Sequence, residues 1–285
     1  MRRKQRLDQL LLERGLFESR TRAAASVLAG EVLLLPGPRR AEKPGQMVSC
    51  DAELEVRRGP DFVSRGGVKL ANALDAFGLS VEGSMALDVG ASTGGFTDCL
   101  LQRGAAHVIA LDVAYGELSW KLREDPRVTV IERRNARSVT PDELPYAPGL
   151  IVIDVSFISL SKVLPTVLKC AAPRYDCLAM VKPQFEVGRE RVGKGGVVRD
   201  PELRRAAVLD VGRVALGLGT VVAGVAPSGL PGPKGNRETF LWLRDAAHPG
   251  VDLEAAALEA EPDGGSGAGS TGSAGSAGSV GEMEP

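Results

Sequence analysis

The residues best suited to chemistry lie in one glycine-rich turn, Asp88-Val89-Gly90-Ala91-Ser92-Thr93-Gly94-Gly95-Phe96-Thr97, which follows an apolar run and opens a helical pattern. Glycines in such a turn let backbone approach a ligand closely, and a helix N-terminus offers N–H groups that have no partner inside the helix. The combination suits a nucleotide-like cofactor beyond the carboxyl end of a sheet strand. Asp88, Gly90, Ala91, Ser92, Thr93, Gly94, Gly95 and Phe96 are the contacts it predicts. The turn is not a phosphate-cradling loop, because no Gly-Lys-Ser/Thr follows, and it does not fit GxGxxG. The next apolar run reaches Asp112, about twenty residues on, where a carboxylate can accept hydrogen bonds from both ribose hydroxyls of an adenosine. Loop and carboxylate alone leave a nicotinamide cofactor and S-adenosylmethionine both open.

The elements around this turn alternate short apolar runs with helical patterns, as in a parallel sheet wound with helices on both faces. Strands are predicted at Met85–Val89, His107–Val113, Val128–Glu132, Leu150–Val155, Cys177–Val181, Thr220–Val225 and Thr239–Leu243. Helices fit at Gly67–Phe77, Gly95–Arg103, Gly116–Arg123, Ser159–Ala171 and Pro201–Gly217. A Pro/Gly-rich loop rather than a helix joins the last two strands, which predicts an antiparallel hairpin at the sheet edge. That departure is typical of methyltransferases and tips the balance towards S-adenosylmethionine. Residues 61–250 are therefore read as an α/β, Rossmann-like class I methyltransferase domain with a seven-stranded, mostly parallel sheet and an antiparallel last strand.

Residues 1–60 read as a separate small α+β unit and linker. Leu7, Leu10, Leu11 and Leu12 form an apolar stripe at helical spacing, Gly15 stops it, Ser19 caps a second helix through Ala23–Leu28, and Val32–Leu35 and Val48–Val56 read as strands. The whole chain of 285 residues carries a net charge of -1, yet residues 1–40 hold nine basic against four acidic side chains. A local basic patch neutralises phosphates whatever the overall balance, and a solvated helix face is the plainer alternative. No run approaches the length of a membrane span, and the charged N-terminus is no signal core, so a cytoplasmic location is expected. Cys50, Cys99, Cys170 and Cys177 are scattered and read as reduced thiols, with no metal site. Residues 251–285, Gly/Ser-rich after Pro262, are read as a disordered tail.

Several segments in order, Arg65-Gly66-Gly67-Val68-Lys69-Leu70, Leu87 to Thr97, Asp154-Val155-Ser156-Phe157-Ile158-Ser159-Leu160, Val181-Lys182-Pro183-Gln184-Phe185-Glu186 and Gly235-Asn236-Arg237-Glu238, closely resemble the TlyA family. The N-terminal part resembles the RNA-binding domain named after ribosomal small-subunit protein four. The resemblance implies an FtsJ-type S-adenosylmethionine-dependent enzyme that methylates ribose 2'-hydroxyls of cytidines in 16S and 23S ribosomal RNA. It implies ribosomal RNA or ribosomal subunits as partners, and Arg3, Lys4, Arg6, Arg14, Arg20 and Arg22 are the expected RNA contacts. A monomer is expected. The chain departs from the family in its Pro36-Gly37-Pro38-Arg39-Arg40 turn and in a linker, Arg57 to Phe62, that lacks a tryptophan some relatives carry.

The family pattern also places a tetrad at Lys69, Asp154, Lys182 and Glu238. Methyl transfer to a hydroxyl is an in-line displacement that needs the nucleophile aligned and its proton removed, and Lys182 is the candidate base. A lysine amine ordinarily titrates near about 10.4, so work at neutral pH requires lowering it, at about 3–4 kcal/mol. Lys69 is the nearby cation expected to help, with Asp154 and Glu238 orienting the amines. Phe157 and Phe185 either stack on the target base or fill the core. Three rival readings are a non-catalytic RNA-binding assembly factor, a membrane-lytic protein of the kind called hemolysin, and a nicotinamide-dependent oxidoreductase. The tetrad argues against the first and third, and the lack of a long apolar run against the second.

Overall fold

The computed structural model describes residues 4–28, 32–36, 39–56, 62–232 and 234–262. The N-terminal unit holds β1 (Lys4–Arg6), α1 (Leu7–Glu13), α2 (Arg20–Leu28), β2 (Val32–Leu34), β3 (Arg39–Arg40), β4 (Met47–Ser49) and β5 (Leu54–Val56). β1 pairs antiparallel with β4, and β3, β2 and β5 form a second antiparallel sheet. Leu7, Leu10 and Leu11 of α1 pack with Ala23 and Val27 of α2, as the i, i+3, i+4 spacing requires. Leu12 is instead exposed, on the far side of the helix. Ser19 caps α2 by accepting from the Arg22 N–H at 3.2 Å. The run Val48–Val56 is not one strand, because a turn at residues 50 and 51 splits it into β4 and β5. Arg3, Gly37 and Pro38, and residues 57–61 of the linker lie outside the described residues.

The second unit holds α3 (Arg65–Phe77), β6 (Met85–Val89), α4 (Gly95–Gln102), β7 (His107–Leu111), α5 (Trp120–Arg123), β8 (Val128–Ile131), β9 (Leu150–Ile153), α6 (Leu164–Val167), β10 (Asp176–Val181), α7 (Pro183–Glu186), α8 (Pro201–Gly217), β11 (Thr220–Pro227), β12 (Thr239–Asp245) and α9 (Leu253–Ala260). One seven-stranded sheet runs β11-β12-β10-β9-β6-β7-β8. β12 is antiparallel to both its neighbours and the remaining pairs are parallel. The seven strands are those expected, and β11 and β12 form the expected antiparallel hairpin at the sheet edge, with β11 outermost and β12 against β10.

Pleating sorts the strand residues into two apolar layers. Leu87, Val89, Ile151, Ile153, Ala179 and Val181 face α6, α8 and α9. Ala86, Val152, Leu178, Met180 and Phe240 face α3 and α4. This alternation decides where the polar residues at the strand ends go.

Three expectations need correction. The helix foreseen at Gly116–Arg123 keeps only α5, since Gly116 has φ +77° and the chain turns until Ser119. The helix foreseen at Ser159–Ala171 is broken into a short turn at Leu160–Lys162, α6, and another at Leu168–Cys170; Pro165 has no N–H to continue a ladder. Within the segment read as a tail from residue 251, α9 is folded. Asp252 caps it at 3.0 Å, and Leu253 and Ala257 are buried. Glu261 just beyond accepts from Arg204 at 2.7 Å and from Thr239 at 2.9 Å. The Gly/Ser-rich stretch from residue 263 lies outside the described residues. No helix among the described residues is long and apolar enough to cross a membrane.

Candidate active site

The turn after β6 is held open by its own backbone. Gly90 has φ +86°, and a Cβ there would stand 2.6 Å from the Asp154 carbonyl oxygen, so only glycine lets β6 and β9 approach this closely. Gly90 and Ala91 both donate to the Leu111 carbonyl. Ser92 holds φ +47°, a costly conformation for a residue with a side chain. Its N–H donates to Asp112 Oδ2 at 2.7 Å, and Ala114 N–H donates to Oδ1 at the same distance. A cleft results, lined by Ala91, Ser92, Asp112, Glu117, Leu118 and Val130. Thr93 is exposed on its rim, and Gly94 is buried where a Cβ would strike Leu122 and Leu118. Gly95 is buried against Ser64, the residue that caps α3.

Asp88 lies beneath the turn, fully buried. The pleat turns it towards α4, where Thr97 Oγ1 donates to its Oδ2 at 2.7 Å. Its Oδ1 is buried with no hydrogen-bond partner. Burial, helped by the Asp154 and Asp112 carboxylates and opposed by Thr97, raises this carboxyl from 3.8 to about 7. Phe96 does not face the cleft. It is buried against Phe240 with ring centroids 5.9 Å apart, so its expected role as a cofactor contact is reduced to its backbone.

The tetrad residues meet because they share one parity. Asp154, Lys182 and Glu238 each sit one residue beyond the end of β9, β10 or β12. Continuing the alternation, all three turn towards the face covered by α3, which carries Lys69. Val181 pairs with Thr239 in the antiparallel ladder, so Lys182 and Glu238 are the next opposed positions. Two ion pairs form. Lys69 bonds to Glu238, both being nearly excluded from solvent. Lys182 Nζ lies 2.5 Å from Asp154 Oδ1 and donates to Ser156 Oγ at 2.9 Å. Asp154 Oδ1 is itself buried, with the Lys182 ammonium as its ionic partner. Lys69 is thus matched by a carboxylate rather than standing bare beside Lys182, so the electrostatic help foreseen from it is offset.

Residues 62–245 match the family of FtsJ-like methyltransferases. Over 269 residues the chain is 50% identical to the 16S/23S rRNA (cytidine-2'-O)-methyltransferase TlyA of Mycobacterium tuberculosis, covering 93% of this chain and 100% of that protein. The chain belongs to the TlyA family of FtsJ-like methyltransferases. It is also 40% identical to Hemolysin A of Brachyspira hyodysenteriae, over 82% of this chain and 97% of that one. The solved structure of a candidate hemolysin from Streptococcus thermophilus superposes with a TM-score of 0.68 at 39% identity, covering 91% and 96% of the two chains.

Within this TlyA-family chain, some site residues escaped the sequence pattern. Glu117 accepts from Ser92 Oγ at 3.2 Å on the cleft wall, with no spacing that sets it apart from ordinary loop residues, and Ser156, inside the Asp154–Leu160 segment but given no role there, braces Lys182. Phe157 does not fill the core. It is 91% exposed at φ +65°, with its ring 5.2 Å from that of Phe185. The expected RNA contacts are mostly engaged within the N-terminal unit. Arg6 and Arg20 both bond to buried Asp8, and the Arg6 guanidinium draws that carboxyl down to about 2. Arg14 donates to the Cys50 and Ala52 carbonyls at 2.5 and 2.7 Å, and Arg22 pairs on the surface with Glu18. Lys4 is exposed.

Proposed function

We propose that the chain transfers a methyl group from S-adenosylmethionine to the ribose 2'-hydroxyl of a cytidine in ribosomal RNA. The observation that carries this reading is the pairing of Lys182 with Asp154 and of Lys69 with Glu238, next to a glycine turn and cleft. The cleft fits the cofactor by its chemistry: Asp112 carries acceptor oxygens at the wall, and Asp88 keeps a buried oxygen without a donor under the turn. Asp112 would hold the ribose, with the Gly90–Gly95 backbone and Asp88 at the other end. When bound, S-adenosylmethionine would supply a methyl carbon on a sulfonium sulfur, open to in-line displacement with the neutral thioether as leaving group.

The chain's own part is to place the hydroxyl and take its proton. Lys182 Nζ, steadied by Asp154 and Ser156, accepts the 2'-hydroxyl proton when neutral, as the ribose oxygen gains the methyl. The Lys69–Glu238 pair fixes the far wall without adding net charge. The exposed Phe157 ring, backed by the half-buried Phe185 ring, provides a face on which an unstacked base rests, the usual way single-stranded RNA is held.

In the same reading, residues 1–60 form an RNA-binding domain that supplies affinity for ribosomal subunits, and the chain acts as a monomer. Methyl transfer to separated small and large subunits, with mapping of the product, tests the function. Label on a cytidine 2'-oxygen is expected. Label on a base would overturn the reading, and absence of label where cofactor binds would favour a non-catalytic RNA-binding protein.

A further inference from the structure

The loop bearing Phe157 has no regular structure of its own to hold it. It leaves β9 at Ile153, passes Asp154 and Ser156, and turns at Phe157 with φ +65°. A bulky residue in the left-handed region persists only where its surroundings enforce it. The enforcing contact comes from α7, the short helix that begins just after Lys182. Glu186, at its last position, accepts from Ser159 Oγ at 2.5 Å and from the Leu160 N–H at 2.9 Å. Ser159 in turn caps the next turn by accepting from Ser161 N–H at 3.1 Å. One carboxylate therefore closes a bracket. On one arm stand Ser156 and Phe157, on the other Lys182 and Phe185, joined at the open end by the Lys182–Ser156 hydrogen bond and the ring contact.

Nothing in methyl transfer requires this carboxylate at the reacting atoms, and the position is an unfavourable one for it. Burial pushes the Glu186 carboxyl up from its ordinary range, with the hydrogen bonds from Ser159 and Leu160 opposing. A serine or amide would cap the turn at less cost. What the carboxylate adds is two acceptor oxygens at fixed separation, enough to hold both the hydroxyl and the N–H of consecutive residues.

We propose that Glu186 is a positioning residue for the target nucleoside: by clamping the Ser159–Leu160 corner to α7 it sets the spacing of the Phe157 and Phe185 rings. The proposal rests on the reading of those rings as the resting face of the base. Glu186 touches neither cofactor nor reacting atoms, so its loss acts on RNA.

The experiment uses the full chain, ribosomal subunits and tritiated S-adenosylmethionine, with Glu186→Ala, Glu186→Gln, the milder Ser159→Ala, Phe157→Ala and the Glu186→Ala/Phe157→Ala pair. Glu186→Ala raises KM for the subunit by about tenfold, the size of part of one base-stacking contact, while kcat and the S-adenosylmethionine Kd change less than about threefold. Glu186→Gln, which keeps one acceptor for the Leu160 N–H but turns an NH2 towards Ser159, restores KM only in part. Ser159→Ala moves KM in the same direction by less and covers the case in which Glu186→Ala does not fold. The double variant is no worse than the poorer single one, because both changes remove one surface. If Phe157→Ala raises KM while Glu186→Ala and Ser159→Ala do not, the clamp is overturned and the base-resting reading survives. If Phe157→Ala leaves KM unchanged, that reading fails and the clamp fails with it.

Discussion

Replacing Asp88 with Asn should flatten the pH dependence of folding, by an amount the structure fixes. The carboxyl titrates near 3.8 when unfolded and is raised to about 7 in the fold, chiefly by burial. Between those values the unfolded chain has released its proton and the native chain has not. Stability from this group is therefore complete below pH 3.8 and falls as pH rises towards 7. The full difference is about 4 kcal/mol at 1.36 kcal/mol per pH unit, and about 2.5 kcal/mol of it falls between pH 5 and pH 8. Asp88 is fully buried, so no solvent screening reduces it. Asn keeps an acceptor for Thr97 and carries no charge, so whatever else it costs is independent of pH. Urea unfolding without cofactor, followed by fluorescence of Trp120 and Trp242, reports this domain at both pH values. The wild type should lose about 2.5 kcal/mol more than Asp88→Asn on going from pH 5 to pH 8. Equal pH slopes would refute the reasoning, because Asp88 would then titrate as if exposed.

Arg204→Met strands Glu261 as a buried charge and should cost about 3–5 kcal/mol in urea unfolding, much of it recovered when Glu261 is changed to Leu as well. Gly90→Ala combines a left-handed backbone, about 1–2 kcal/mol, with a Cβ pressed on the Asp154 carbonyl; calorimetry should show weakened S-adenosylmethionine binding, and transfer should fail. In the N-terminal unit, Arg14→Ala should lower thermal stability by about 1–3 kcal/mol through its two lost carbonyl bonds. Lys4→Ala should leave stability alone and reduce the salt dependence of subunit binding by about one counterion.

The sheet was legible because its strands are runs of Val, Ile, Leu and Ala bounded by turn residues, and because the loop after β11 is too rich in Pro and Gly for a helix. Hidden from sequence was where β12 inserts: pairing with β10 is a long-range choice, and it is what places Glu238 opposite Lys182. The convergence of Asp154, Lys182 and Glu238 on the α3 face follows from strand parity, which needs strand ends known to the residue. Phe96 was misjudged through attention to the motif, although Phe96, Cys99 and Leu100 already make an i, i+3, i+4 core stripe. α9 escaped because alanines supply most of its apolar surface and a Gly/Ser-rich stretch follows directly. Its anchor, Glu261 to Arg204 and Thr239, joins residues far apart in the chain. The N-terminal arginines looked alike in sequence, yet Asp8, which is buried, and two turn carbonyls claim three of them.

The central claim is that Lys182, held by Asp154 and Ser156, takes the ribose proton. Single-turnover transfer of tritiated methyl to ribosomal subunits, comparing wild type with Lys182→Ala at saturating cofactor and subunit, tests it most directly. The account predicts that the variant binds S-adenosylmethionine and subunits as the wild type does while the transfer rate falls by about a hundredfold or more. Transfer at the wild-type rate would contradict it.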